Sequence, residues 1–482
     1  DKLGGTAYDD PTNPLQVGGG GGGSSDGTDG GAVGGGVLQL SATTLNLAGR
    51  LIANGQPNLL PTPDFPSIFA TLAASGAGGS VNLRVHTLTG GGSIEADGGN
   101  TCVLIADLLN PAVQDGCGNG SSEGAGGGGR IAIRYTDTKS WTGKVHAYGG
   151  YNVGYLHDNP AAIQVGRAGP GTIFWLAAGQ PADGGKLVID GGGPTTDRRA
   201  GTPLGANLNG GHRTLIITGG AVAYGKNLKV ANLELLHGSV LTTQPGVHTL
   251  SIAATHLTVD SSSRIDLTGR GDAGDSNAAN GPLSGPGVSP GGRPSTYNAG
   301  GSHGGAGGAV QYSVPGATYG SAANPTLPGA GGAGGDGQGG SGGGVLFIQA
   351  GTLRLDGELS VEGLATQGPT VHDLTQHGFL GAGAGGSLNL HLGLWSGHGT
   401  LSANGGNACL PQSMIVDGHD YSGCGNSGYG AGGGGRIAVT YKSDAGWRGK
   451  AQAAGGTNLT LTGADARTAH GGKGSVVLRK GV

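Results

Sequence analysis

Apolar and polar positions alternate along this chain in short bursts. In "VLQLSATTLNLAGRLIANG", which begins at Val37, the apolar residues are Leu38 and Leu40, Leu45 and Leu47, then Leu51 and Ala53. "HTLSIAATHLTVDSSSRIDLTG", from His248, places Leu250 and Ile252, Leu257 and Val259, Ile265 and Leu267 in the same way. "VLFIQAGTLRLDGELSVEG", from Val345, does so with Leu346 and Ile348, Leu353 and Leu355, Leu359 and Val361. A period of two points alternate side chains to one face of a strand. No useful length of the chain shows a helical period. Each burst therefore predicts three short strands, with corners at Gly, Asn, Asp or Ser and the named apolar residues facing inward. Such bursts recur about ten times along the chain, and this grouping predicts an all-β parallel β-solenoid, one burst per coil. Stacked at about 4.8 Å per strand, the coils make a rod on the order of 50 Å long. Antiparallel sandwiches also use short strands, but the triplet grouping and the long intervening loops favour the solenoid.

The bursts belong to a longer repeat. "GAGGGGRIAIRY" from Gly124 returns as "GAGGGGRIAVTY" from Gly430, 306 residues on. "GAGGSVNL" from Gly76 returns as "GAGGSLNL" from Gly383, and Tyr8, Asn13 and Pro14 return as Tyr319, Asn324 and Pro325. Arg130, Tyr135 and Trp141 form a signature that recurs as Arg436, Tyr441 and Trp447. Their expected role is to fill or cap the coil interior, with stacking on sugars as the alternative. The period is roughly 310 residues. It divides the chain into a truncated first glycine-rich repeat (1–194), linking coils (195–245) and a second repeat (246–482). The chain opens at Asp1 in mid-repeat and without an initiator Met, which suggests a processed piece of a secreted precursor.

Composition changes the picture in one respect. Glycine contributes 113 of 482 residues and proline 22, a level that by itself warns of disorder. Ordering glycine costs more backbone entropy than ordering any other residue. Yet the runs at 18–23, 30–36, 124–129 and 329–344 fall at matched positions in the two copies. That recurrence predicts ordered packing, with extended polyglycine-II-like runs pairing through their own amides. Net charge is −4, with 12% charged and 4% aromatic residues. This excludes the basic stripe and the base-stacking platforms that nucleic-acid binding requires. No apolar run is long enough for membrane insertion by a helix.

Several stretches occur together and in order: "LTVDSSSRIDLTGRG" at Leu257, "SHGGAGG" at Ser302, "YGSAANPTLPGAGG" at Tyr319, "GAGGGGRIAVTY" at Gly430, and "AGPGTIFWL" at Ala168 in the first copy. As a set they resemble the glycine-rich repeats of very large secreted bacterial surface proteins. The resemblance covers most of residues 8–194 and 245–482. It implies an exported, multi-repeat, cell-surface or matrix protein with no established enzyme activity. The chain departs from that pattern in being short and in carrying Asp272 where an aromatic residue is expected.

Candidate chemistry is sparse. Cys102 and Cys117 recur as Cys409 and Cys424 with the same spacing. Two disulfides within the pairs, in an oxidising compartment, are the expectation; a metal site is the alternative, with no Cys-x-x-Cys or paired histidines to support it. Closing a loop of this size stabilises by about 3 kcal/mol in the chain-entropy model. Asn119 and Asn458 begin glycosylation acceptor triplets. "DGTDGG" at Asp26 and "GGDGQGG" at Gly334 offer oxygens for Ca2+, but no nonapeptide calcium repeat accompanies them, so solvated turns are preferred. Arg270-Gly271-Asp272 is an adhesion-type tripeptide that glycine-rich loops also produce by chance. Asp260, Arg264, Asp266, Arg270 and Asp272 form the densest charged cluster. Arg264 and Asp266 are expected to face solvent, without charges on neighbouring coils to complete a cleft. No catalytic, cofactor or metal-binding residue is assigned. The expected role is a structural subunit of an extracellular fibre, sheath or surface layer, a head-to-tail homopolymer joined through open solenoid ends. A glycan-binding adhesin and a polysaccharide-degrading β-helix enzyme are the alternatives.

Overall fold

The computed structural model describes residues 7–23, 31–57, 74–101, 124–156, 159–193, 201–205, 210–274, 299–309, 314–333, 339–365, 381–408, 415–416, 419–420, 430–458 and 469–481. The chain is all-β. It divides into two compact units: Asp1–Tyr224 with Val230–Leu241, and Gly225–Lys229 with Thr242–Val482. The linking stretch 195–245 is shared between them.

In the first unit, Val37–Asn46, Ser80–Thr89, Arg130–Asp137 and Thr172–Ala177 pair successively in parallel. A narrow second sheet runs alongside, made of Arg50–Ile52, Ser93–Glu95 and Lys144–His146. In the second unit, Thr249–Val259, Val345–Leu355, Ser387–Ser396, Arg436–Asp444 and Ser475–Lys480 pair in parallel. Its narrow sheet is Arg264–Asp266, Glu358–Ser360, Thr400–Ser402 and Lys450–Gln452. Among the described residues no sheet closes on itself.

Register explains the core. Equivalent apolar positions stack strand upon strand, as in Leu250–Leu346–Leu388–Ile437 and Ile252–Ile348–Leu390–Val439. All of these are 0–1% exposed. Each such side chain removed from water contributes about 1.5–3 kcal/mol. The first unit repeats the device with Leu38–Val81–Ile131–Ile173 and Leu40–Leu83–Ile133–Trp175.

Two features differ from the sequence reading. Each burst forms two strands, one long and one short, because the first two predicted strands fuse. The predicted corner at "SATT" survives only as one unpaired position: Ala42 and Thr44 pair across the ladder and Thr43 does not. Thr255, Gly351 and Gly393 are skipped in the same place. No residue there has positive φ, so the backbone stays extended. The true corner lies between long and short strands, where Gly90 and Gly397 adopt φ of 102° and 108° and glycine avoids the Cβ clash. Secondly, the pairing is not wholly parallel. Thr172–Ala177 folds back antiparallel on Lys186–Asp190, and Tyr151–Leu156 forms a hairpin with Asn159–Arg167.

Where the glycine runs fall among the described residues, they pair through their own backbones. The amides of Gly99, Gly126 and Gly150 donate to the carbonyls of Gly76, Gly99 and Gly126 at 2.8–3.0 Å. In the second unit Gly406, Gly432 and Gly456 donate to Gly383, Gly406 and Gly432 at 2.8–2.9 Å. These are the same bonds one repeat on. The answer to the repeated "GAGGGG" is therefore geometric: it is one rung of a backbone ladder, followed by the strand that enters the sheet.

Candidate functional site

The repeated residues assemble a polar clamp on the outside of each long sheet. Ser80 and Asn82 lie on alternate positions of Ser80–Thr89, and Arg130 begins the neighbouring strand. Ser80 Oγ donates to the Gln16 carbonyl at 2.6 Å, Asn82 Nδ2 to Asn13 Oδ1 at 2.9 Å, and Arg130 Nε to the Tyr8 carbonyl at 2.9 Å. One repeat on, Ser387 Oγ donates to the Leu327 carbonyl at 2.6 Å, Asn389 Nδ2 to Asn324 Oδ1 at 2.8 Å, and Arg436 Nε to the Tyr319 carbonyl at 2.8 Å. The phenols of Tyr8 and Tyr319 each donate to a carbonyl nine residues ahead, at 2.6 Å. Thus Arg130 and Arg436 hold an irregular loop against the sheet. Burial lowers both guanidinium pKa values without discharging them.

The other signature residues pack rather than project. Trp447 stacks on Trp395 with ring centroids 4.0 Å apart, and Tyr441 leans on Trp395 at 5.7 Å. Tyr135 meets Trp175 edge-on at 5.9 Å, and Trp141 packs against the first core. The sequence exposed Arg130 and Arg436 through their spacing. It gave no role to Ser80, Asn82, Ser387 and Asn389, although "GGSVNL" and "GGSLNL" carry the signal.

A second cluster was not anticipated. Glu95, Asp97 and His146 offer ligand atoms within 4.8 Å of one another. Their local partners show what the cluster does. Arg50 grips Glu95 with Nε at 2.8 Å and a terminal nitrogen at 2.5 Å, and Ser93 Oγ adds a third bond. His146 Nδ1 lies 2.9 Å from Asp97. The hydrogen bond from Arg50 holds the Glu95 carboxyl at about 2, while Asp97 raises His146. A metal would have to displace a guanidinium, and the imidazole suits Ca2+ poorly because that ion takes oxygen ligands. The cluster reads as an ion-pair network joining Arg50–Ile52, Ser93–Glu95 and Lys144–His146. Glu95 is 5% exposed. Its folded pKa lies below the unfolded value, so its stabilisation is present above pH 4.5 and is lost as pH falls toward 2. Glu95→Gln should cost about 1–2 kcal/mol at pH 7, discounted for the exposed Arg50, and should flatten the acid limb of the unfolding midpoint between pH 4.5 and 2.

The charged cluster around Arg264 also differs from expectation. Asp266 is 7% exposed, accepting the Thr268 amide at 2.9 Å and the Arg264 Nε at 3.3 Å. Neighbouring strands do supply charges: Arg264 stands opposite Glu358, and Thr400 opposite Lys450. An open polar groove runs past Ser262, Arg264, Asp356, Glu358 and His398. Asp356 is held below the ordinary carboxylate range, chiefly by Arg354 Nε at 2.8 Å. It is an acceptor there, not a proton donor.

Arg270-Gly271-Asp272 is built into the glycine lattice rather than displayed. The Gly271 amide donates to Gly342 and the Asp272 amide to Gly329. Burial pushes the Asp272 carboxyl up to about 6. Asn458 is 3% exposed. Cys102, Cys117, Cys409, Cys424 and Asn119 lie outside the described residues, as do Asp26 and Asp336 of the calcium-like turns. Among the described residues no helix is long and apolar enough to cross a membrane. Searches of family models, curated proteins and solved structures find no match to this chain, so its function rests on its own geometry.

Proposed function

We propose that the chain is a non-catalytic structural subunit of an extracellular fibre, sheath or surface layer. In this reading it is a parallel β-solenoid whose third side is a polyglycine-II-like lattice. The observation that carries it is an edge strand in each unit's sheet that, among the described residues, is paired on one side only. In the first unit Val37–Asn46 is paired on one side only, with Val37 37% exposed. In the second, Ser475–Lys480 is the edge, with Val476 and Leu478 41% and 43% exposed. Open edges of parallel strands are templates for further pairing. Two different edges meeting head to tail generate a contact that does not close, and hence a filament. The resemblance to exported glycine-rich surface repeats supports an extracellular setting, where two disulfides would form.

Negative-stain electron microscopy of native, unreduced protein tests this. Regular fibres are expected, and lysines at Val476 and Leu478 should leave dispersed particles by charging the edge. Particles that stay single at every concentration would sink the proposal. The groove past Arg264 and His398 favours a second reading, a glycan-binding adhesin, which saturable binding on a glycan array would establish.

A further inference from the structure

The two copies build the same outer sheet face, but the first carries a charge pair on it. One row crosses the first sheet as Ser41–Arg84–Arg134–Leu176, and its counterpart in the second is Gln349–His391–Thr440–Arg479. Arg84 and Arg134 are direct partners on neighbouring parallel strands, about 4.8 Å apart. Like charges placed directly opposite one another destabilise a sheet. The second copy keeps the register without them, so the fold does not require the pair. The row is open in both copies. In the second, residues 299–308 lie across the glycine lattice, with the Gly305 amide on the Gly434 carbonyl at 2.8 Å and His303 Nδ1 2.8 Å from the Gly385 carbonyl. Even with that segment in place His391 is exposed and Thr440 half-buried, as Arg84 and Arg134 are.

Among the described residues neither guanidinium bonds a carboxylate. Arg84 donates to the neutral Asn13 Oδ1 at 3.3 Å. Arg134 Nη1 is sealed from solvent without a hydrogen-bond partner, a rare condition that calls for a reason. Its other two nitrogens reach solvent, also without a protein partner. Burial, and after it the Arg84 charge, lower the Arg134 pKa without discharging the group. The acids of adjoining segments are engaged locally. Asp9 accepts the Leu15 and Gln16 amides at 2.9 and 3.1 Å. Asp10, whose charge opposes the shift of Arg134, accepts the Thr12 amide and hydroxyl at 2.8 and 2.9 Å. Asp137 accepts the Lys139 amide at 2.9 Å.

We propose that Arg84 and Arg134 hold a carboxylate or sulfate group of an acidic polysaccharide that crosses the outer face of the first sheet. Guanidiniums one strand apart offer several N–H donors to one oxyanion, which compensates both charges and removes their repulsion. The face is an open sheet, so a small free anion would exchange readily with water. A polymer instead returns another oxyanion from the next sugar to the same pair, at high effective concentration. Net charge of −4 sets nucleic acid aside as the polymer. The pair belongs to the first unit and is distinct from the groove past Arg264. The proposal stands whether or not the sheet edges polymerise.

The test uses the full chain with fluorescein-labelled polygalacturonate, dextran sulfate and neutral dextran, read by anisotropy. Saturable binding of at least one acidic polymer is expected, weakening as salt rises, and none of neutral dextran. Which acidic polymer binds distinguishes carboxylate from sulfate. Arg134→Thr and Arg84→His install the residues of the second copy. Each should weaken binding at least about tenfold and leave the unfolding midpoint unchanged or higher, because the like-charge contact is gone. Arg479→Thr removes the same charge from the counterpart row and should bind as wild type does, which separates the site from general attraction. If Arg134→Thr fails to fold, Arg84→His, at an exposed position, carries the test. Binding of neither acidic polymer, wild-type binding by both arginine variants, or an equal loss in Arg479→Thr would overturn the proposal.

Discussion

Gly432→Ala should cost more than about 4 kcal/mol or prevent folding of the second unit, whereas Gly49→Ala should be neutral or stabilise by about 0.4–1 kcal/mol. Both are glycine-to-alanine changes, and helix or strand propensity treats them alike. The structure does not. A Cβ on Gly432 would lie well under 3.0 Å from the carbonyl oxygen of Gly383, whose ladder the Gly406 and Gly432 amides continue. Relief requires the rungs to part, so the backbone bonds on either side are lost together. A buried amide or carbonyl without a partner costs about 1–3 kcal/mol. At Gly49 the added carbon meets nothing within 4 Å and φ is not left-handed, so the main effect is a smaller entropy of the unfolded chain. Gly126→Ala, one repeat earlier, should behave as Gly432→Ala does. Denaturant unfolding of the three variants measures this. Equal stability of the Gly49 and Gly432 variants would show that the glycine rungs yield without loss.

The contrast shows what the sequence could disclose. Period-two alternation named Leu250, Ile252, Leu257, Val259, Ile265 and Leu267 as inward-facing, and each is 0–1% exposed. Alternation reports burial directly, because one face of a strand is either in the core or out of it. The corner at "SATT" was misread because the residue types that permit a turn do not compel one. The true corners are made in more than one way: Gly90 and Gly397 turn with positive φ, whereas Asp260–Ser263 turns without it, closed by the Ser263 amide on the Asp260 carbonyl. Matched glycine runs gave order but not partners, since a ladder such as Gly76–Gly99–Gly126–Gly150 joins four separate loops. Nothing local encodes which loops those are. The clamp was half visible for the same reason. Arg130 and Tyr8 both recur, but their bond spans 122 residues. The Arg50–Glu95–His146 network has no counterpart in the second copy, where Ser402 and Gln452 replace Glu95 and His146, so repeat comparison passed over it.

Acidification should destabilise the second unit through His303. The residue is fully buried and accepts no counter-charge: Arg436 is the charged group beside it, Tyr319 lies against its ring, and burial pushes that phenol's pKa up. Desolvation, reinforced by Arg436, pushes the imidazole down to about 4. The unfolded chain binds this proton at about pH 6.5, and the folded chain resists it. Stability is therefore complete above pH 6.5 and falls as pH drops toward 4, by about 3 kcal/mol in all. Asp272 works in the opposite sense. Its folded pKa of about 6 lies above the unfolded value, so protonation below pH 6 relieves a buried charge and partly offsets the loss. A raw stability curve mixes the two. The difference between wild type and His303→Gln separates them, because Asp272 is common to both chains and glutamine keeps a donor for the Gly385 carbonyl. At pH 7 wild type should be the more stable. By pH 4 the advantage should shrink by about 3 kcal/mol and vanish or reverse. A difference that stays constant from pH 7 to pH 4 would mean that the imidazole reaches water, and that residues 299–308 lift from the lattice more readily than their hydrogen bonds indicate.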